Sequence, residues 1–405
     1  MVSGNKLSLF LDWFFWVLLF LISFFSFGLA AKRPFNYVTI ALWVCLGLLF
    51  LLRHDWKKRA YLDLFFWISL SFLAVQIVSF FASCFERVPT TPAILVLCNL
   101  ILYEVILDNK IKASNCLTVA CFGCIVFLAL FAFVYRYEII HPSFSQRIGT
   151  YFDNQNNVGR SMACSTILLA FSAGRVKNRF LKILFPISSA IAFYFLLLTG
   201  SVSALLSLTV TFLVCLPILF KKRRMLVLAL ELIVLVGGLV SLFTVPAFSY
   251  FAERVMHMLG SVGLAKSAGD GSFQDRFQGA LVGFRIFLNY PLTGDGFDSV
   301  VSSFFITAHN NFSEILADFG LFGFLFAESL FIIPLCALRN GKWNDGRWIA
   351  PVLFFFFCFQ LFLLCFNSKL DNLMLTLCFA SAFPNGCYPD FLKKRSIKTD
   401  KISIQ

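Results

Sequence analysis

The chain predicts an all-α fold, a polytopic transmembrane helix bundle, and three observations carry that prediction. Of its 405 residues, 59% are hydrophobic and only 14% are charged, a balance foreign to ordinary soluble domains. Its apolar runs are long enough to cross a hydrocarbon core of roughly 30 Å as helices. They are continuous rather than alternating, which argues against the strands of a membrane barrel.

We read about twelve spans, near 9–30, 36–52, 61–81, 92–107, 116–135, 157–174, 181–199, 203–220, 225–245, 310–338, 348–366 and 371–388. The first has Lys6 ahead of it and Ala30-Ala31 behind it, as a signal peptide would. Its apolar stretch is longer than a signal core and another span follows at once, so it is expected to stay as the first helix. With the N-terminus in the cytoplasm, 23 of the 34 Lys and Arg residues fall on that side. They include Arg53 to Arg59, Arg175 to Lys182, Lys221 to Arg224 and the tail from Lys393. This bias predicts both termini inside and a long extracytoplasmic loop between spans 9 and 10. Residues 1–392 read as a single transmembrane domain, with 245–309 as that loop and 393–405 as a basic cytoplasmic tail.

The net charge of +13 is thus mostly topology, and no basic folded domain exists to bind nucleic acid. The Cys residues sit mainly within spans. Cys121-x-x-Cys124 has no partner pair, which favours packing over zinc or redox chemistry. The four His residues are dispersed and no carboxylate triplet has metal-ligand spacing, so neither a metal site nor a cofactor is expected. Gly260-x-x-x-x-Ala265-Lys266-Ser267 falls short of a P-loop: the last Gly is Ala and no strand precedes it.

Chemistry in such a chain belongs on exposed loops or in a cavity between helices. The excursion 136–156 carries Gly149-Thr150-Tyr151 and Asn154-Gln155-Asn156, residues of tight turns. It brings Arg147 and, just beyond it, Arg160 to the outer side. In the long loop, 247–262 has helical apolar spacing and suggests an interfacial helix. Ser272-x-x-Asp275 resembles a capping box opening a helix 273–289 that Pro291 ends. Arg276 and Arg285 lie on opposite sides of that helix. The turn Pro291-x-x-Gly294-x-Gly296 leads towards His309.

His309 stands at the water-to-membrane boundary beside Asn310 and Asn311. Asn310, Glu314 and Asp318 follow at i, i+4 and i+8, an amide and two carboxylates on one stripe entering a span. Charged groups there are costly and mark function; the plainer reading is capping and polar packing. The five outward Arg residues, 147, 160, 254, 276 and 285, suit diphosphate through forked hydrogen bonds, or lipid headgroups by snorkelling. Glu104, Glu231 and Glu328 within spans read as proton-relay groups or as helix–helix glue.

Three segments give the chain a resemblance to the bacterial O-antigen ligase and O-antigen polymerase family. They are Gly149-Thr150-Tyr151 with Asn154-Gln155-Asn156 and Gly159; Leu198-Thr199-Gly200-Ser201-Val202-Ser203-Ala204; and Arg276 with Pro291-x-x-Gly294-x-Gly296, His309-Asn310 and Asp318-x-Gly320-x-x-Gly323. Gln155 stands where the family has Pro, Asp318 where Glu is commoner, and Val202 where Arg is frequent. Any anionic contact made by that Arg is either absent here or supplied by Arg147 or Arg160. The resemblance implies a glycosyltransferase of the inner membrane acting on an undecaprenyl-diphosphate-linked oligosaccharide donor. A glycan or lipid is its acceptor, membrane lipids surround it, other polysaccharide-assembly proteins are candidate partners, and no metal is required. It implies His309 and Glu314 as catalytic, and Arg147, Arg160, Arg276 and Arg285 as the diphosphate-binding set. Polymerase and ligase remain open, and a lipid-linked glycan transporter or flippase is the alternative class.

Overall fold

The structure, a computed structural model, describes residues 3–26, 35–53, 64–83, 89–108, 113–140, 148–152, 154–174, 176–244, 271–304 and 310–339, with isolated positions at 252–260 and 351–358. Among these it is helical, without strands. The elements are α1 (Ser3–Ser26), α2 (Phe35–Arg53), α3 (Leu64–Ala82), α4 (Thr90–Asp108), α5 (Ala113–Val134), α6 (Arg136–Ile140), α7 (Gln155–Ala173), α8 (Arg179–Thr199), α9 (Val202–Leu219), α10 (Arg224–Thr244), α11 (Gly271–Asn289), α12 (Ser299–Phe304) and α13 (Asn311–Arg339). The helix expected at 273–289 is α11, which already includes Ser272. The start therefore lies ahead of the expected capping box, within the usual ambiguity of helix ends.

Among the described residues, five helices are long and apolar enough to cross a membrane: Ser8–Phe25, Leu64–Ala82, Asn115–Val134, Arg179–Thr199 and Asn311–Ile333. Shorter apolar stretches are Tyr37–Leu52, Val96–Ile106 and Val202–Ile218. The count of about twelve is therefore matched only in part. The span expected at 371–388, most of that at 348–366 and the tail lie outside the described residues.

The packing centres on α7, which touches α5, α8 and α9, while α1 joins α2 to α5. Thirteen of its nineteen residues are buried, among them Arg160, Ser161, Ser165, Thr166 and Ser172. A helix surrounded by helices need not be apolar, because its neighbours rather than lipid are its solvent. Small residues there let backbones approach. Added atoms at Gly159 Cα would meet Ser201 and Thr199, so α7 abuts the corner between α8 and α9.

Aromatic rings fix the loop ahead of α7. Phe152 is 1% exposed, with its ring centroid 5.6 Å from Phe127 and 5.7 Å from Phe131. Tyr151 N–H donates to the Tyr135 hydroxyl at 2.8 Å and Ile148 N–H to Leu198 O at 3.3 Å. Phe152→Ala should therefore cost roughly 3 kcal/mol or more through the cavity it leaves. Unfolding of the purified protein in detergent measures this, and a loss below about 1 kcal/mol would deny the ring its anchoring role.

Candidate functional site

Two polar constellations stand at helix ends. The first is built by the 148–152 turn, the start of α7 and the α8–α9 corner. Asn154 caps α7 by accepting from Asn156 N–H at 2.9 Å. Gly200, with φ 62° and ψ 26°, closes α8. Arg160 sits one turn inside α7 and is 8% exposed. Thr199 and Ser201, which abut Gly159 on the same helix, are fully buried. The first two segments singled out in the sequence thus meet in space.

The second constellation is built by α11, α12 and α13, with α3 behind. Buried Val282, Ile286, Val300 and Ala317 form its apolar centre, and Gly283 lies against Ser313. Arg276 is half-buried on α11, with its Nε shut off from solvent, whereas Arg285 is exposed. Opposite sides of α11 thus meet different surroundings, as the spacing predicts. Asn310 caps α13, accepting from Ser313 N–H at 3.2 Å through its side chain. Its backbone oxygen accepts from Glu314 N–H at 3.0 Å. Glu314 lies in the first turn of α13, half-buried, where a carboxylate suits the positive end of the helix. His309 and Arg147 lie outside the described residues.

Asp318 plays a part that the stripe pattern did not reveal. It is 7% exposed. Its carboxylate accepts from Asp298 N–H at 3.1 Å, Ser299 N–H at 3.0 Å and Ser299 Oγ–H at 2.8 Å. It therefore caps the start of α12, twenty residues back in the chain. The backbone beside it is broken: Gly320 interrupts α13 with φ 64° and ψ −163°. Ala317 O accepts from Asp295 N–H at 2.8 Å, Asp318 O from Gly296 N–H at 3.2 Å, and Leu321 N–H donates to Pro291 O at 2.8 Å. Ser79 Oγ of α3 also donates to Asp318 O, at 2.5 Å. The Pro291–Gly296 turn and the Asp318–Gly323 break are one interlocked unit.

Gly294 and Gly320 make that unit possible. Both have positive φ, 69° and 64°. A Cβ at Gly294 would strike Asp318 and Phe319 backbone, and one at Gly320 would strike Leu292 and Gly294 backbone.

Such an architecture, helices long enough for a membrane with polar loops gathered at their ends, defines a multi-pass helical membrane protein. Residues 187–327 match the family model for O-antigen ligase. This stretch, well under half of the chain, is thus similar to the O-antigen ligases. The match runs from α8 through most of α13, so it contains the interlocked unit, Arg276 and Arg285. It stops short of the 149–160 segment. Among curated proteins, none matches the chain.

Gly320→Ala and Gly294→Ala should each destabilise the fold by roughly 2 kcal/mol or more, combining backbone strain with overpacking. Gly237→Ala and Gly238→Ala, where a Cβ meets open space, should be neutral or mildly stabilising, by up to about 1 kcal/mol. Folded yield and melting temperature in detergent compare the two pairs. Equal behaviour would deny the close approach.

Proposed function

We propose that the protein is a membrane glycosyltransferase that polymerises or ligates surface polysaccharide, of O-antigen or capsule type, at the outer face of the bacterial cytoplasmic membrane. Its donor is an undecaprenyl-diphosphate-linked glycan, and both termini lie in the cytoplasm. The observation that carries the reading is an overlap. The O-antigen ligase match covers the stretch that holds both the half-buried Arg276 of α11 and the interlocked Pro291–Gly296 and Asp318–Gly323 unit.

Alternation of the helices supports a common side for the two constellations. Ser79 near the end of α3 meets Asp318 near the start of α13. Tyr135 just past α5 meets the turn before α7. With the N-terminus inside, both meeting points fall on the outer side.

In the reaction, an acceptor hydroxyl attacks the anomeric carbon of the donor. The bond from that carbon to the diphosphate oxygen breaks, and the lipid diphosphate departs. Fixed guanidinium groups lower the cost of the charge that develops there. Arg276 on α11 and Arg160 on α7 fill this role, together with Arg147, which lies outside the described residues. Arg285, exposed on α11, is placed for the outer part of the diphosphate or for lipid headgroups. His309, whose ordinary pKa near 6.5 suits proton transfer, takes the hydroxyl proton. Glu314, half-buried beside it in sequence, is the reserve base. No step calls for a metal ion.

His309→Ala and Arg276→Ala, each checked for normal membrane insertion, should reduce glycan transfer by roughly 10²- to 10³-fold. Near wild-type transfer by both overturns the assignment. The glycan ladder of a deletion strain separates the activities. Loss of long chains with one repeat retained marks a polymerase, and loss of all surface repeats with lipid-linked chains accumulating marks a ligase.

A further inference from the structure

We propose that Asp318 is a positioning residue for this outer-face site, holding α12 and the preceding turn in the register from which the chain enters residues 305–310. The inference rests on the glycosyltransferase reading above, and adds a residue that acts through others rather than on the substrate.

The argument begins with what a carboxylate is doing twenty residues from its partners. All three of its hydrogen bonds go to Asp298 and Ser299, at the start of α12. That helix has only six residues, too few to hold its own direction in water. Its orientation must come from outside. The apolar support is Val300, 2% exposed against Val282, Ile286 and Ala317, which fixes distance but not rotation. The carboxylate fixes rotation, since two backbone N–H groups and one hydroxyl must converge on it together.

Asp298 shows that this register is imposed rather than intrinsic. It adopts φ 56°, the one positive φ outside glycine among the described residues. An L-residue there is held by its surroundings. The bond from its N–H to Asp318 Oδ2 is one such constraint. Meanwhile the Asp318 carbonyl takes Gly296 N–H and the Ser79 hydroxyl. One residue therefore ties α3, α12, α13 and the 291–296 turn together. The chain that leaves α12 at Phe304 returns at Asn310, and both of its anchors rest on α13. Between them lies His309.

The test uses the full-length protein in membranes, with transfer per inserted molecule measured against donor concentration. Asp318→Ala should lower kcat roughly 10- to 100-fold, the scale of a misplaced catalytic group, with KM for the donor within about 2-fold. Asp318→Asn keeps an oxygen for the Ser299 pair but sets an NH2 against the Asp298 N–H, and should fall between wild type and alanine. Ser299→Ala, which loses only the hydroxyl bond, should fall nearest wild type. Combining Asp318→Asn with His309→Ala should cost less than the product of the two single losses. Unchanged kcat per molecule in Asp318→Asn overturns the proposal, as does a fully multiplicative double loss. Either result leaves the transferase reading intact if His309→Ala alone is inactive. Near wild-type transfer by both His309→Ala and Arg276→Ala instead sinks that reading.

Discussion

A broken helix inside a membrane protein must find partners for its backbone, because hydrocarbon offers none. The break at Gly320 meets this demand with a single turn. Ala317 O, Asp318 O and Leu321 N–H, which an unbroken α13 would pair within itself, are instead taken by Asp295, Gly296 and Pro291. The constraint runs in both directions. The turn from Pro291 to Gly296 closes on itself through Gly294 N–H, which donates to Tyr290 O at 3.0 Å, and α13 supplies three further hydrogen bonds. Each piece thus steadies the other, and the turn is fixed to the bundle through α13.

Arg160 is placed by a different kind of necessity. A guanidinium 8% exposed is tolerable only where polar groups surround it, and a helix facing lipid offers none. The chain solves this by making α7 an interior helix with hydroxyls and small side chains along it. Gly159 lets the α8–α9 corner come into contact beside the charge. Val202 opens α9 at that corner, the position at which the resemblance to the O-antigen ligases and polymerases implies Arg.

Helix positions were largely legible in the sequence, because continuous apolar runs bounded by basic clusters leave few alternatives. Even α7 could be found, although its polar residues weaken the pattern. The break at Gly320 was not legible. A glycine within an apolar run is ordinary in membrane helices, and nothing local shows that residues 291–296 will supply the missing partners. The role of Asp318 was hidden for the same reason. Helical spacing grouped it with Asn310 and Glu314, but Asn310 is a cap, Glu314 is half-buried in the first turn, and Asp318 bonds to α12. Periodicity reports which residues share a face; it does not report what folds back onto that face. The motif glycines held the missing information, since a positive φ and a close backbone approach are reasons for glycine at 294 and 320.

The buried acids left over make the same point from the other side. Glu328 is 2% exposed and Glu104 is 6% exposed, both deep in helices that pack within the bundle. Glu231 lines a cavity of about 450 Å³ with Phe193, Leu208, Phe212 and Leu216, where α8, α9 and α10 meet. By position these carboxyls belong to helix seams rather than to the outer loops. The chemistry proposed here uses groups at helix ends, where water, a sugar hydroxyl and a lipid diphosphate can all arrive. A site built for such a substrate needs its charges at the boundary between solvents. Arg160, Arg276 and Glu314 lie within about a turn or two of a helix end, and that shared placement separates them from the acids of the interior.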